Sequence, residues 1–263
     1  MRHSRVKTIW ADGGAAINGW LSIPSSFSAE LMARQRFDSV TIDLQHGIVD
    51  YQVAVTMLQA IATTDVMPIA RVPWNDPGII MKMLDAGAYG IICPMVNSAE
   101  EASRFVRACR YPPDGFRSWG PTRASLDAQG DYRSRADETV LAMPMIETPE
   151  ALENLDEILE VDGIDCVYVG PADLALSLGM PPALEQTDTR MVRVRHDIVS
   201  ACKRHGVIAG IHCASAGGAR EMIAAGYQFI TLGSDARFLA TKAAAELGEV
   251  TDSGDTQLVI PAY

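Results

Sequence analysis

Two carboxylates and a guanidinium stand at the ends of short apolar, β-rich runs in this chain, and their types and spacing define a narrow chemistry. Glu147 follows the run Val140–Ile146, and Asp173 lies just past Ile164–Val169, 26 residues further on. Two acids delivered from the ends of neighbouring strands suit a hard divalent cation (Mg, Mn or Co) that keeps most of its coordination open to an oxygen-rich molecule. A 2-oxo acid would chelate such an ion through its carboxylate and keto oxygens, and the ion would stabilise an enolate as a Lewis acid.

Further groups fall at equivalent positions. Asp43 closes the run Ser39–Asp43 with His46 three residues later, and Arg71 lies at the end of Met67–Val72. A guanidinium cannot deprotonate, so Arg71 suits a fixed donor aimed at a developing enolate oxygen. The imidazole of His46 is of a type suited to proton transfer, with Asp43 orienting it. The turn Gly170-Pro171-Ala172 leads into a helix start at Asp173-Leu174-Ala175-Leu176, whose N–H groups would receive a substrate carboxylate. The four lysines (Lys7, Lys82, Lys203 and Lys242) fall in helix patterns or the N-terminal segment, so no lysine ends a strand as a Schiff-base nucleophile.

Positioning these groups on one rim requires parallel strands. Eight β-rich runs are expected, at Ala16–Ile23, Ser39–Asp43, Met67–Val72, Gly90–Pro94, Val140–Ile146, Ile164–Val169, Val207–His212 and Phe229–Leu232. Helical patterns fall between them at Tyr51–Thr63, Pro77–Ala86, Ala99–Arg110, Pro149–Glu160, Thr189–His205, Ala216–Ala225 and Ala236–Leu247. Eight alternating units predict an α/β chain closed into a single (β/α)8 TIM barrel, whose catalytic groups gather at the carboxyl ends of the strands. An open doubly wound sheet is the alternative, but no GxGxxG follows the first strand. The barrel domain is taken as residues 1–247 and the polar stretch 248–263 as an extension or arm. The connection from Tyr111 to Asp137, rich in Pro, Gly and Arg, is long enough to serve as a lid or a subunit contact.

Bulk properties exclude several classes. The 263 residues are 48% hydrophobic, and 22 basic against 33 acidic groups leave a formal charge of −11. Such a balance, with no basic stripe, argues against nucleic acid and against anionic membrane. No apolar run is long enough for a signal peptide or a membrane span, so a cytoplasmic location is expected. The five scattered cysteines include no CxxC pair, which argues against a disulfide scaffold or zinc finger. Cys93 and Cys166 fall inside apolar runs and read as packing residues.

Several residues carry a structural reading beside a functional one. His212 ends the seventh run and reads as a satisfied structural histidine rather than a rim group. Gly217 and Gly218 precede a helix where many barrels bind phosphate, although glycine in a short turn explains them as well. Glu150, Glu153, Glu157 and Glu160 recur as a solvated helix face. Trp20, Trp74 and Trp119 are candidates for shaping the aldehyde side of a pocket.

On these residues the chain resembles the class II, metal-dependent 2-oxo-acid aldolases of the HpcH/HpaI family. The matching segments are Ile42-Asp43-Leu44-Gln45-His46-Gly47, Arg71-Val72-Pro73-Trp74-Asn75-Asp76-Pro77, Leu84-Asp85-Ala86-Gly87-Ala88 and Pro94-Met95-Val96. They continue with Arg110-Tyr111-Pro112-Pro113-Asp114-Gly115, Met145-Ile146-Glu147-Thr148 and Gly170-Pro171-Ala172-Asp173-Leu174. The resemblance implies reversible cleavage of a 4-hydroxy-2-oxo acid to pyruvate, or a close analogue such as hydroxypyruvate, plus an aldehyde. It implies Glu147 and Asp173 as metal ligands, Arg71 as the enolate-stabilising group, His46 with Asp43 as a water-linked acid/base pair, and Ala172 as a backbone contact to the substrate carboxylate. It also implies a homo-oligomer, a hexamer built as a trimer of dimers, with the last helix exchanged between subunits. Gln45 and Met145 depart from residues found in several members and alter the pocket. Alternatives for the same site are decarboxylation of oxaloacetate-like acids and, with no basic cluster to favour it, cleavage of a CoA thioester. A non-catalytic barrel that binds metal or oxo acid is the alternative from another class.

Overall fold

The computed structural model describes residues 4–127 and 131–251. Its centre is a closed, all-parallel barrel of eight strands in sequential order. The strands are β1 (Ala16–Leu21), β2 (Ser39–Asp43), β3 (Met67–Arg71), β4 (Gly90–Cys93), β5 (Leu141–Ile146), β6 (Cys166–Val169), β7 (Ile208–Cys213) and β8 (Phe229–Leu232). Pairing of β1 with β8 closes the ring. The chain is therefore a single (β/α)8 TIM barrel, and each expected strand is present within a few residues of its sequence-derived bounds.

The helices are α1 (Arg5–Ala11), α2 (Ser26–Ala33), α3 (Tyr51–Ile61), α4 (Pro77–Asp85), α5 (Ala99–Ala108) and α6 (Tyr132–Thr139), followed by α7 (Pro149–Glu153), α8 (Leu155–Leu159), α9 (Pro171–Ser177), α10 (Thr189–His205), α11 (Ala216–Ala225) and α12 (Asp235–Thr251). Their starts are set by side chains that satisfy orphan N–H groups. Asp50, Asp76, Ser98, Thr148 and Ser215 each cap the helix that follows. Pro77 and Pro149 stand in the first helical turn, where no N–H is needed.

Both faces of the strands are covered, so β2, β3 and β5 are buried along their whole length. The barrel interior is partly polar and fully bonded. Asn18 donates to Thr231 Oγ1 at 2.9 Å and accepts from Ser39 Oγ at 2.8 Å and Thr41 Oγ1 at 3.1 Å. Tyr168 adds its hydroxyl to Thr231 Oγ1 at 2.7 Å. These bonds join four strands inside the ring and leave those polar groups satisfied.

The amino-terminal end of the barrel is closed by α1 and by the long connection after α5. Lys7 on α1 and Arg110 both pair with Asp165. Arg117, with its side chain wholly buried, pairs with Asp85 at 2.6 Å and lies over the Tyr111 ring at 4.4 Å. Arg123 donates to the carbonyls of Ala86 and Leu58. Within its own chain the connection therefore packs away from the carboxyl-terminal rim and is no lid over it. It also carries α6, a helix its composition conceals.

Helix α12 buries little of its length against the barrel. Among its 17 residues only Asp235 is buried, and Leu239, Leu247 and Val250 are exposed at 66%, 58% and 84%. Its root is fixed by Asp235, whose carboxylate accepts from Ser22 N and Ser22 Oγ in the loop after β1 and from Ser28 Oγ in the first turn of α2. The helix runs past residue 247, and residues 252–263 of the expected arm lie outside the described residues. Among the described residues no helix is long and apolar enough to cross a membrane.

Candidate active site

Parallel pairing brings the strand-end residues to one rim. Asp43 and Arg71 are direct register partners at the ends of β2 and β3. Glu147 and Gly170 each follow a paired residue, Ile146 of β5 and Val169 of β6. Asp173 lies in the first turn of α9, which begins at Pro171, two residues earlier than the sequence pattern indicates.

Glu147 is 2% exposed, and its Oε1 accepts the Met95 N–H at 2.7 Å. Burial pushes its carboxyl up to about 7; the Met95 bond and the Arg71 charge oppose the rise, and Asp173 adds to it. A carboxyl raised by burial and by a second carboxylate is one that a divalent cation would ionise. The space for its other oxygen depends on Gly170, because a Cβ there would stand 2.5 Å from Oε2. Met95, which supplies the N–H, holds a left-handed backbone with φ of 56°. Strain at a non-glycine residue is thus spent aiming one donor at Glu147.

Among the described residues no group of three or more His, Cys, Asp or Glu side chains is arranged to hold a metal. Glu147 with Asp173 forms a two-carboxylate set, which leaves the remaining positions of an octahedral ion for substrate and water. Buried carboxylate, glycine-shaped space and hard oxygen donors together fit a divalent ion at this place.

Arg71 and Asp43 make a buried fork, with Nε donating to Oδ1 at 2.9 Å and Nη2 to Oδ2 at 2.7 Å. Both side chains are 1% exposed. Burial alone would raise the Asp43 carboxyl, but the Arg71 charge and hydrogen bonds outweigh it, helped by the N–H groups of Gln45 and His46. Asp43 is thereby held ionised below the usual range. Asp43 clamps Arg71 and also accepts the main-chain N–H groups of Gln45 and His46. The His46 side chain is exposed on the loop after β2.

Trp20 and His212 complete the wall behind Arg71. The Trp20 indole donates to Asp43 Oδ2 at 3.3 Å, and the guanidinium carbon of Arg71 lies 4.7 Å from the ring centre. His212 meets Trp20 edge to face at 5.0 Å. Burial, then the positive charge of Arg71, drives its imidazole down to about 3, so it stays neutral in ordinary buffer. The structural reading of His212 holds. Trp20 is a wall of the Arg71 cradle, Trp74 is exposed on the loop after β3, and Trp119 meets the Tyr111 and Tyr132 rings at a tilt at the far end. Met145 is buried beneath the rim, with its terminal methyl 2.9 Å from where a Cβ on Gly170 would be.

Known proteins resemble this chain over most of its length. Residues 19–241 match the model of the HpcH/HpaI aldolase/citrate lyase family. A hydroxypyruvate/pyruvate aldolase of Rhizorhabdus wittichii is 44% identical over 240 residues, covering 91% of this chain and 96% of that protein. A 4-hydroxy-2-oxo-heptane-1,7-dioate aldolase of Klebsiella pneumoniae is 37% identical over 247 residues, covering 93% and 92% of the two chains. The crystal structure of an HpcH/HpaI aldolase/citrate lyase family protein from Burkholderia cenocepacia superposes with a TM-score of 0.88 at 30% identity, covering 94% of this chain and 99% of that one.

Proposed function

The chain belongs to the HpcH/HpaI aldolase/citrate lyase family and is a carbon–carbon lyase, and from that premise we propose that it reversibly cleaves a 4-hydroxy-2-oxo acid to pyruvate or hydroxypyruvate and an aldehyde. The observation that carries this reading is the rim pairing of a two-carboxylate set, Glu147 and Asp173, with a buried Arg71 clamped by Asp43. The 44% identity to a hydroxypyruvate/pyruvate aldolase supports both donors.

In this mechanism Glu147 and Asp173 would hold a divalent ion (Mg, Mn or Co). A bound cation supplies Lewis-acid polarisation of the 2-oxo group. Arg71 donates to the oxygen that gains charge as the bond between C3 and C4 breaks, and Asp43 keeps the guanidinium from rotating away. His46 takes the proton of the C4 hydroxyl through a water, so the aldehyde departs as the enolate forms. Protonation of that enolate at C3 then gives the free oxo acid. The turn Gly170-Pro171-Ala172 receives the substrate carboxylate; Pro171 has no N–H, so Ala172 supplies the nearest donor. The same reading makes the working unit a homo-oligomer, hexameric as a trimer of dimers, with α12 as the exchanged helix. The exposed apolar side chains of α12 support that arrangement.

The test is exchange of solvent deuterium into the methyl group of pyruvate, followed by NMR with Mn or Mg and again with chelator. Metal-dependent exchange that is lost in Glu147→Ala is expected. Exchange that survives both the chelator and the substitution would overturn the metal site. No exchange with pyruvate or hydroxypyruvate would overturn the enolate chemistry itself.

A further inference from the structure

Beside the catalytic rim, at the start of α11, the chain carries an anion-binding arrangement that one of its own carboxylates fills. The cap residue Ser215 precedes Ala216-Gly217-Gly218, so the exposed N–H groups of this helix end are screened only by small side chains. Glu185, on the connection between α9 and α10, accepts the Ser215 N–H at 2.8 Å. Its carboxylate occupies space that a side chain at residue 218 would take, since a Cβ there would overlap Oε1. A negative group is favoured at this end by the helix dipole as well as by the unpaired N–H groups.

A second observation points to an oxyanion at the same place. Arg195 of α10 lines the same cavity, of about 250 Å³, and is 7% exposed. Its Nη2 donates to the Gln186 carbonyl at 2.9 Å, while its buried Nε–H has no acceptor. A buried guanidinium with an unused donor is a feature that calls for an acceptor, and a forked oxyanion is the natural one. Glu221 adds one exposed carboxylate to the cavity edge. His212 is a wall shared with the catalytic centre, because its ring also packs on the Trp20 that backs Arg71.

We propose that the α11 N-terminus and Arg195 form an oxyanion site whose α11 side Glu185 occupies as an internal ligand, leaving the Arg195 Nε–H without an acceptor, and that this occupancy excludes aldehydes bearing a terminal phosphate. The first half stands on the geometry alone; the second rests on the aldolase reading given above. Glu185 is exposed as a residue, so its carboxylate can be removed without opening the core.

Inorganic phosphate is the probe for the first half, titrated calorimetrically into the full-length wild type, Glu185→Ala, Glu185→Gln and the double variant Glu185→Ala/Arg195→Met. Both single variants are expected to bind phosphate at least about tenfold tighter than the wild type, and the double variant to lose the gain. Two folded single variants with no gain, or a gain that survives loss of Arg195, would overturn the site. For the second half, glyceraldehyde and glyceraldehyde 3-phosphate are compared as acceptors with the same oxo acid. The ratio of kcat/KM for the phosphorylated aldehyde over the free one should rise about tenfold in Glu185→Ala. An unchanged ratio in an enzyme that still exchanges pyruvate protons would overturn the specificity role. Failure of the aldolase reading would show separately, as absence of that exchange in the wild type.

Discussion

At the scale of single residues, the properties of the rim follow from burial. Glu147 is pushed up to about 7 by burial, so a cation must displace a proton from it at lower pH. The affinity for Mn is expected to weaken about tenfold per pH unit below 7 and to level off above it, read by titration calorimetry at several pH values. The stability of the metal-free protein follows the same group with opposite sense. Between the ordinary glutamate value and 7 the unfolded chain has lost a proton that the folded chain keeps. Stability contributed by this group therefore falls as pH rises through that window, and added Mn should raise the melting temperature more at pH 8 than at pH 6. Asp43→Asn removes the charge that fixes Arg71. Pyruvate exchange should fall by about 10²–10³, and thermal unfolding should show a loss of roughly 3–5 kcal/mol from the orphaned buried guanidinium. At Met95 the left-handed backbone predicts that Met95→Gly keeps metal affinity, while Met95→Val loses it and costs about 1–3 kcal/mol. The acids, Arg71 and His46 are legible in the sequence because each follows a strand pattern. The place of Trp20 behind Arg71 and the roles of Met95 and Glu185 are not, since a donor angle, a backbone torsion and a loop-to-helix contact exist only after folding.

At the scale of elements, strand order was legible and helix detail was less so. Alternation of apolar runs with amphipathic stretches identifies eight units, and parallel pairing then forces their ends together. The stretch Pro149–Glu160 reads as one helix but divides into α7 and α8 at Asn154. There the side chain of Asn154 leaves to donate to the Asn97 carbonyl at 2.8 Å, a contact invisible to periodicity. Helix α6 is hidden inside a Pro- and Gly-rich connection, and α1 and α2 are short enough to escape the helical pattern altogether. That connection acts as a plug held by Arg117 and Asp85. Asp85→Asn should lower stability by roughly 3–5 kcal/mol in chemical denaturation, because the fully buried Arg117 loses its ion-pair partner. Pyruvate exchange per folded molecule should stay at the wild-type rate, since the pair sits at the opposite end of the barrel from Glu147.

At the scale of the whole molecule, the last helix is the feature that one chain does not explain. Helix α12 shows Leu239, Leu247 and Val250 to solvent, and α2 beside its root exposes Phe27 and Leu31. Apolar faces of this kind are covered in a soluble protein. Sedimentation is expected to find a species larger than the monomer. Leu239→Glu should shift it toward the monomer, while an unchanged sedimentation coefficient would sink the exchange of α12. Composition and periodicity mark the end of this helix only as a domain limit; its exchange between subunits is what the family resemblance implies, and the exposed apolar side chains of the finished fold support that reading. The carboxylate of Asp235 gives the arrangement a mechanical meaning. It fastens the root of a 17-residue rod to Ser22, in the loop at the mouth of the barrel, and to Ser28 in the first turn of α2. In the oligomer proposed above, a rod seated on a neighbour and pinned at that hinge would act as a lever, and a small tilt between subunits would reach the lip of the barrel.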